Sequence, residues 1–100
     1  MWLAKVYFKN EGRFKQRPVV VVGNRLTVDI DVLISPIASS EARSKFDVVI
    51  EHWEEAGLLK PSVARTTKLA AIPRGEMIKK LGILHEHDLT RVLIQCRNLF

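Results

Sequence analysis

The strongest constraint on the fold is a run of four consecutive valines, Val19 to Val22, between Pro18 and Gly23. β-Branched side chains favour extended backbone, and they are less suited to the surface of a helix. Because no polar residue interrupts the run, neither face of the strand is marked for solvent. The run therefore predicts a strand that is buried on both faces, in a domain built mainly from β-structure.

Four further segments have the character of strands. Residues 2–8 are mostly apolar and aromatic, and residues 27–34 alternate between apolar and polar side chains, as a half-buried strand does. Residues 47–53 and 62–72 are also compatible with extended backbone. The glycine-containing stretch 9–16 is expected to be a loop. The sequence thus predicts five or six short strands.

Two helices are predicted towards the end of the chain. Pro73 and Gly82 bound a short helix over 73–82, since proline suits the start of a helix and glycine its end. The polar stretch 38–45 is either a loop or a further short helix. A longer amphipathic helix follows from apolar residues at helical spacing: Leu89, Val92, Leu93, Cys96, Leu99 and Phe100. The predicted fold class is mainly β (α+β), a compact antiparallel barrel with helical decoration.

Length and composition limit the architecture to one domain over residues 1–100. With 100 residues, 47% of them hydrophobic, the chain can bury a modest core but has no room for a second domain. Cys96 is the single cysteine, so no intramolecular disulfide can form, and no apolar run approaches the roughly eighteen residues of a membrane span. These features favour a cytoplasmic location.

The net charge of +5 is concentrated in the first quarter of the sequence. Residues 1–25 hold six cations against one acid, Glu11, whereas residues 26–100 hold ten of each. Such an asymmetry predicts a basic face that meets a polyanion such as RNA, or an acidic partner. A solvated basic face without a function is the alternative on charge alone.

Three strings in a fixed order carry a family resemblance: residues 15–22, KQRPVVVV; residues 35–40, SPIASS; and residues 57–63, GLLKPSV. Together with residues 78–84 and the Asp-Leu pair at 88–89, they resemble the MazF/PemK (Kid) toxins of toxin–antitoxin systems over nearly the whole chain. The resemblance implies an SH3-like barrel with C-terminal helices, usually a homodimer. It further implies a sequence-specific, metal-independent endoribonuclease that cuts single-stranded RNA without a cofactor and is neutralised by an antitoxin.

The sequence departs from the family pattern at two positions. Ala38 stands where a polar residue, often threonine, is common in the family, with Ser39 and Ser40 directly after it. Kid-like members carry arginine, one residue, then aspartate; Arg65 matches the arginine, but Thr67 stands in place of the acid. The identity of the general acid and base is therefore open.

Arg17 is the leading catalytic candidate. Metal-free cleavage of RNA uses the neighbouring 2′-OH as nucleophile, so the protein must stabilise a crowded, negatively charged phosphorane. The planar guanidinium can hold two phosphate oxygens at once, and Pro18 restricts the backbone beside it. Phosphate binding or a surface ion pair is the alternative role.

Four other residues could assist the reaction. Ser39 or Ser40 could donate a hydrogen bond to a phosphate oxygen, although serines in a polar loop are often simple turn formers. Arg65 could provide a second phosphate contact, with a structural ion pair as the alternative. Relatives sometimes have an essential glutamate before the arginine-proline pair, so Glu11 could be a general base or simply a solvated carboxylate.

The candidate RNA-binding surface is the segment 13–17. In extended backbone its cations at 13, 15 and 17 project to one side, and Phe14 and Gln16 project to the other. Phe14 could stack on a base, or it could plug the core or a dimer contact. The residues predicted to bind the strand are Arg13, Phe14, Lys15 and Gln16, with Thr67 adding a hydrogen bond.

The string His85-Glu86-His87-Asp88 does not predict a metal site, because histidines two apart on a helix face different ways. It predicts a helix N-terminus whose two acids complement the helix dipole. His52 and Trp53 are assigned to the barrel wall. Two non-catalytic functions remain open: a toxin-fold binding module, gyrase-poison-like or degenerate but retaining antitoxin binding, and a general RNA-binding barrel.

Overall fold

Strands and one C-terminal helix make up the part of the chain that the computed structural model describes, residues 1–8, 12–23 and 31–100, without the side chains of Phe8 and Asp31. The candidate base Glu11 and residues 27–30 of the predicted alternating strand lie outside these described residues. The elements are β1 (Trp2–Phe8), β2 (Arg13–Gly23), β3 (Asp31–Ala38), β4 (Asp47–Val49), β5 (Val63–Arg65), β6 (Ala70–Pro73), β7 (Met77–Lys80) and α1 (Glu86–Asn98).

Strand β2 lies at the centre of an antiparallel sheet whose order is β4-β5-β3-β2-β1-β7, with β6 also paired to β3. Val19 pairs with Trp2 of β1 on one side and with Pro36 of β3 on the other. All pairings among the described residues are antiparallel, and none joins β4 to β7, so the sheet is not closed into a complete ring. The predicted class, mainly antiparallel β with a C-terminal helix, is confirmed.

The valine run is buried on both faces of the sheet, as predicted. Val19 belongs to an apolar cluster with Ala4, Val6, Val32, Ile34 and Ile72. Val20 points the other way, because successive side chains of a strand alternate. It belongs to a second cluster, which α1 covers with Val92 and Cys96. Among the described residues no helix combines the length and apolar character that a membrane span requires.

The hairpin of β1 and β2 extends further than the sequence predicted. Residues 13–18, expected to be largely loop, continue β2 and pair with residues 3–8 of β1. The valine run alone had marked the strand, but the backbone of β1 offers hydrogen-bond partners along the whole of residues 13–18. As a result, the most basic stretch of the sequence lies on a strand.

The predicted short helix over 73–82 is wrong. Arg74–Glu76 forms a single 3₁₀ turn, and Met77–Lys80 forms β7, which pairs with residues 2–4 of β1. A helix of ten residues or fewer is marginal by itself, whereas an unpaired β1 edge leaves a row of backbone donors and acceptors available. Strand pairing outweighs the local helix signal.

Two other predicted boundaries change. The segment 62–72 is divided into β5 and β6 by a 3₁₀ turn over Thr66–Lys68, where the hydroxyl of the buried Thr66 donates to the Phe46 carbonyl at 2.6 Å. Strand β4 ends at Val49, and residues 51–57 form turns. His52 and Trp53 therefore lie in a turn and not in a strand of the barrel wall.

Asp88 joins α1 to this turn. Its side chain is fully buried and accepts hydrogen bonds from the backbone N–H groups of Glu51 at 3.1 Å and His52 at 2.9 Å. The helix starts as predicted, with His85 as N-cap, but Asp88 acts mainly as a tertiary anchor. Desolvation by itself would raise the pKa of this carboxyl; the backbone N–H groups of His52 and Glu51 and the His52 side chain together outweigh it and lower the pKa.

Two glycines allow the turn to pack against the segment before α1. Gly57 has a φ of +85°, and a Cβ there would lie 2.2 Å from the carbonyl oxygen of Leu81. A Cβ on Gly82 would lie 2.6 Å from the carbonyl carbon of Ala56. The backbone of the turn and the backbone of the segment before α1 thus lie so close together that a side chain at either glycine would prevent the contact.

We expect Asp88→Asn to lower the free energy of unfolding by about 2 kcal/mol, because an amide replaces the charged acceptor of two backbone N–H groups. The folded-state pKa of Asp88 lies below its unfolded value of about 3.9, so its contribution is full above that value and is lost as pH falls through the folded pKa. Urea melts of both proteins from pH 2 to pH 7 measure this. A difference in stability that stays constant across the acid range would contradict the assignment.

We expect Gly57→Ala to destabilise the fold by at least about 2 kcal/mol, since alanine meets both a positive φ and a backbone oxygen. Gly75→Ala is the matched control, because a Cβ at Gly75 has no heavy atom within 4 Å. Thermal denaturation should show a large fall in Tm for the first variant and a change within about 0.5 kcal/mol for the second. Equal effects would show that the close contact does not limit stability.

Candidate functional site

An open cleft of about 660 Å³ lies where the charged half of β2, the end of β3 and strand β5 meet. Its described lining contains no acidic residue. It contains five cations: Lys15, Arg17, Arg43, Arg65 and Lys68. Clefts lined by one sign of charge concentrate the field and attract ligands of the opposite sign, so this cleft is suited to a polyanion.

The cations of the cleft come from both parts of the sequence. Lys15 and Arg17 belong to the basic first quarter, but Arg43, Arg65 and Lys68 belong to the part in which acids and bases balance. Charge counting along the chain did not single out Arg43 or Lys68. No local pattern marks them, because the fold alone brings the loop after β3 and the 3₁₀ turn after β5 to the cleft.

The two faces of the β1–β2 hairpin carry different groups. Lys15 and Arg17 share a face with Val6 and line the cleft. Phe14 pairs with Tyr7 on the opposite face, although Tyr7 also lines the cleft. The centroids of these two rings lie 5.1 Å apart, and the Lys5 ammonium lies 5.0 Å from the Phe14 ring centroid. The alternation predicted for residues 13–17 is therefore present. The described lining of the cleft does not include Arg13, Phe14, Gln16 or Thr67.

Arg65 is held in a fixed position at the cleft. One of its terminal nitrogens donates to the carboxylate of Asp47, and the other donates to the hydroxyl oxygen of Ser40. Asp47 lies directly opposite Arg65 in the β4–β5 pairing and also accepts from the backbone N–H of Arg43 at 2.8 Å. The Asp47 side chain is only 3% exposed, so it orients the guanidinium without reaching into the cleft.

This arrangement supplies an acid that the sequence pattern lacked. Thr67 stands where Kid-like toxins have aspartate, and its side chain is exposed outside the described lining of the cleft. Asp47, from the neighbouring strand, gives Arg65 a carboxylate partner instead. No sequence signal marks Asp47 as this partner, because the pairing of β4 with β5 joins residues 18 positions apart.

Ser40 and Ser39 both line the cleft, beside Ala38. Since Ser40 accepts a hydrogen bond from Arg65, its own hydroxyl hydrogen is available to a ligand, apart from a long 3.4 Å contact with the Glu41 carbonyl. A hydroxyl that accepts from a guanidinium is polarised and becomes a better donor. The serine pair thus places two hydroxyl groups in the cleft beside Ala38, which has none.

Arg17 lies at the junction of two clefts. It is half-buried, pairs with Ala4 of β1 and lines both the basic cleft and a smaller one of about 290 Å³. Ile37 and Ser39 are the other residues common to both. The leading sequence candidate is thus at the open surface where a ligand of the basic cleft would pass.

A second group of titratable side chains lies at the start of α1. Ligand atoms of Glu51, His52 and Asp88 lie within 4.8 Å of one another, and the rings of His52 and His85 stack at 3.8 Å. Arg91 lies 3.4 Å from the Asp88 carboxylate and 3.8 Å from that of Glu51, so both acids already have an internal cationic partner. This group ties the helix to the turn. No sequence signal relates residues 51 and 52 to residues 85–88, because the two segments meet only in the tertiary fold.

The cleft offers charge and hydrogen-bond donors, and its described lining has no thiol and no histidine or carboxylate that would activate a serine as a nucleophile. Cys96 is buried in the core, where desolvation raises the pKa of its thiol. Guanidinium and hydroxyl groups instead suit the stabilisation of a negatively charged group that supplies its own nucleophile.

Comparison with known structures shows the same fold in toxins. Toxin MazF-mt6 of Mycobacterium tuberculosis superposes with a TM-score of 0.75 at 18% identity, covering 98% of this chain and 94% of that chain. A chain of a MazE–MazF structure from Deinococcus radiodurans gives a TM-score of 0.70 at 17% identity, covering 98% of this chain and 89% of that chain. A second MazF structure from that organism gives 0.71 at 17% identity, covering 98% and 91%.

No curated protein matches the sequence significantly. A family model does match, and it covers the entire chain. Its description is "PemK-like, MazF-like toxin of type II toxin-antitoxin system", and the match extends over residues 1–100. The chain therefore belongs to the PemK-like, MazF-like toxins of type II toxin–antitoxin systems.

Proposed function

We propose that this toxin is a sequence-specific, metal-independent endoribonuclease that cleaves single-stranded RNA, messenger RNA included. The observation that carries the proposal is a cleft whose described lining has five cations and no acid, Arg17 and Arg65 among the cations, with Ser40 fixed beside Arg65. RNA presents a negative phosphate at each nucleotide and brings its own nucleophile, the 2′-OH. Both properties match a site that holds charge-stabilising groups and no reactive nucleophile.

In the proposed reaction the 2′-oxygen attacks the adjacent phosphorus, and the bond to the 5′-oxygen breaks. The 2′-OH loses its proton to a base, the leaving 5′-oxygen gains a proton, and the product strand ends in a 2′,3′-cyclic phosphate. Glu11, outside the described residues, is the base that the sequence offers. No metal or cofactor is required, because the nucleophile belongs to the substrate.

The residues of the cleft have distinct proposed roles. Arg17 holds two phosphate oxygens with its planar fork as charge accumulates on them. Arg65 and Ser40 provide donors from the opposite wall, and Ser39 lies beside them. Lys15 binds the neighbouring phosphates, and Arg13 extends the same face of β2. Phe14 and Gln16 lie on the other face and would contact the RNA only where it passes around the β1–β2 hairpin. Thr67 would contact the RNA only at the exposed turn after β5.

The proposal includes two protein partners and a compartment. We expect a cognate antitoxin to neutralise the toxin. The similar fold in the MazE–MazF structure from Deinococcus radiodurans supports this expectation. A homodimer is proposed from the family resemblance. The reaction is assigned to the cytoplasm, where messenger RNA is found and where a protein with the single cysteine Cys96 needs no disulfide.

We expect Arg17→Ala to reduce RNA cleavage by about 10²–10³-fold, the usual loss when one donor to a developing charge is removed. Purified protein is incubated with mixed single-stranded RNA in EDTA, and products are assayed for 2′,3′-cyclic phosphate. Arg97→Ala is the matched control and should retain activity, because Arg97 is an exposed arginine near the end of α1. Cleavage that survives Arg17→Ala would remove the assignment.

The competing function is a toxin-fold module that binds without cutting, and it is tested by inducing the protein in growing cells. Ala38 lines the cleft where a polar residue is common in the family. The module predicts growth arrest without RNA fragments, or no arrest, whereas the endoribonuclease predicts fragments that end at a shared short sequence. Sequencing the fragment ends after induction separates the two functions.

We expect Asp47→Asn to lower kcat by about 10- to 100-fold, as for other residues that orient a functional side chain from behind. Arg65→Ala should be at least as severe, and the double variant should be no worse than Arg65→Ala alone, because Asp47 acts through Arg65. Glu55→Gln, in the exposed turn, is the control. The melting temperature of each variant shows whether a loss of activity is caused by unfolding. Additive effects of the two substitutions on kcat would show that Asp47 acts by another route.

A further inference from the structure

The smaller cleft differs in chemistry from the basic cleft that it adjoins. It measures about 290 Å³, and most of its walls are apolar: Leu3, Pro18, Leu58, Leu59 and Leu81, with Ile37 shared between the clefts. Its remaining described lining includes Lys60 and Ser62 but no acid. A phosphate would gain little from these walls, whereas a flat apolar group would be covered by them.

The walls are preformed by the backbone around Gly57. The N–H of Gly57 donates to the Glu54 carbonyl at 3.0 Å, and that of Leu58 donates to the Trp53 carbonyl at 3.1 Å. Ile37 and Leu58 are themselves 4% and 7% exposed and belong to the core. A ligand therefore meets a rigid floor, which lowers the entropy cost of binding.

Polar groups and one exposed leucine complete the smaller cleft. The Ser62 hydroxyl donates to the Lys60 carbonyl at 2.9 Å, so its oxygen can still accept. Ser39 and Lys60 add donors. Leu59 lines the cleft and is 93% exposed to solvent. An apolar surface with few polar groups is suited to a nucleobase, which has apolar faces and a hydrogen-bonding edge.

We propose that the smaller cleft binds a base of the single-stranded RNA, that of a nucleotide flanking the phosphate on Arg17. The inference rests on the proposed endoribonuclease function and identifies a surface that determines its sequence specificity. Continuity supports it: Arg17, Ile37 and Ser39 belong to both clefts, so a strand with its phosphate at Arg17 has a neighbouring base within reach of the apolar walls. A base in single-stranded RNA can leave its stack and enter at low cost.

Binding is tested first, without cleavage. Short RNAs made fully 2′-O-methylated, which removes the nucleophile, carry the fluorescent base 2-aminopurine at one position in turn. Wild-type protein should change the fluorescence strongly at one position, and Leu59→Ser should abolish that change and weaken binding by about 10- to 100-fold, the range for losing one covered leucine side chain. Ile83→Ser is the matched control, since Ile83 is 71% exposed and lies outside the described lining of either cleft.

Cleavage gives the second readout. On a substrate with its preferred sequence, the wild type should lose about 5- to 100-fold in kcat/KM when the identified nucleotide is made abasic, and Leu59→Ser should lose much less. A wild type that bound base but did not cut would disprove the endoribonuclease and leave the base site supported by fluorescence. Equal fluorescence changes in Leu59→Ser and wild type, or equal losses in Leu59→Ser and Ile83→Ser, would overturn the base site.

Discussion

Val19 and Val20 are neighbours in β2, yet their side chains are buried in two different apolar clusters. This double burial fixes β2 at the centre of the sheet, and a shift of one residue would exchange its two faces. The same strand carries Lys15 and Arg17 on the extension that pairs with β1. The core therefore determines which way the cations project, and the basic cleft depends on the position of the valines.

The opposite wall of the cleft depends on a buried ion pair. Arg65, on β5 between β3 and β4, loses hydration when the sheet assembles, and the carboxylate of Asp47 compensates by pairing with it. The pair holds the guanidinium against Ser40, so the donors on this side are positioned before any ligand arrives. Preorganised donors cost no rearrangement when charge develops. Asp88 has a comparable role in the fold, since it binds the start of α1 to the turn that forms one end of the smaller cleft.

The elements that sequence analysis identified are those in which the local pattern and the tertiary fold agree. The valine run and β1 are strands as their patterns indicate. Of the predicted helix stripe, Val92 and Cys96 are buried, whereas Leu93 is exposed and Phe100 is exposed beyond the end of α1. Residues 73–82 are the opposite case, because local helix signals there conflicted with the need of β1 for a second partner, and pairing prevailed. Of the site, Lys15, Arg17, the serine pair and Arg65 were named from the sequence and line the cleft. Arg43, Lys68 and Asp47 were not, since no spacing along the chain relates them to Arg17.

The sequence by itself determined a β-rich fold, a basic first quarter, a C-terminal helix and the family resemblance, because each depends on residues close together in the chain or on their order. Only the tertiary structure decided which cations share a cleft, which acid supports Arg65 and where an apolar cleft meets the basic one. These depend on strand pairings and turn contacts between distant residues, such as Asp47 with Arg65 and Gly57 with Leu81. Contacts of this kind form only when the whole sheet is assembled, and local patterns do not encode them.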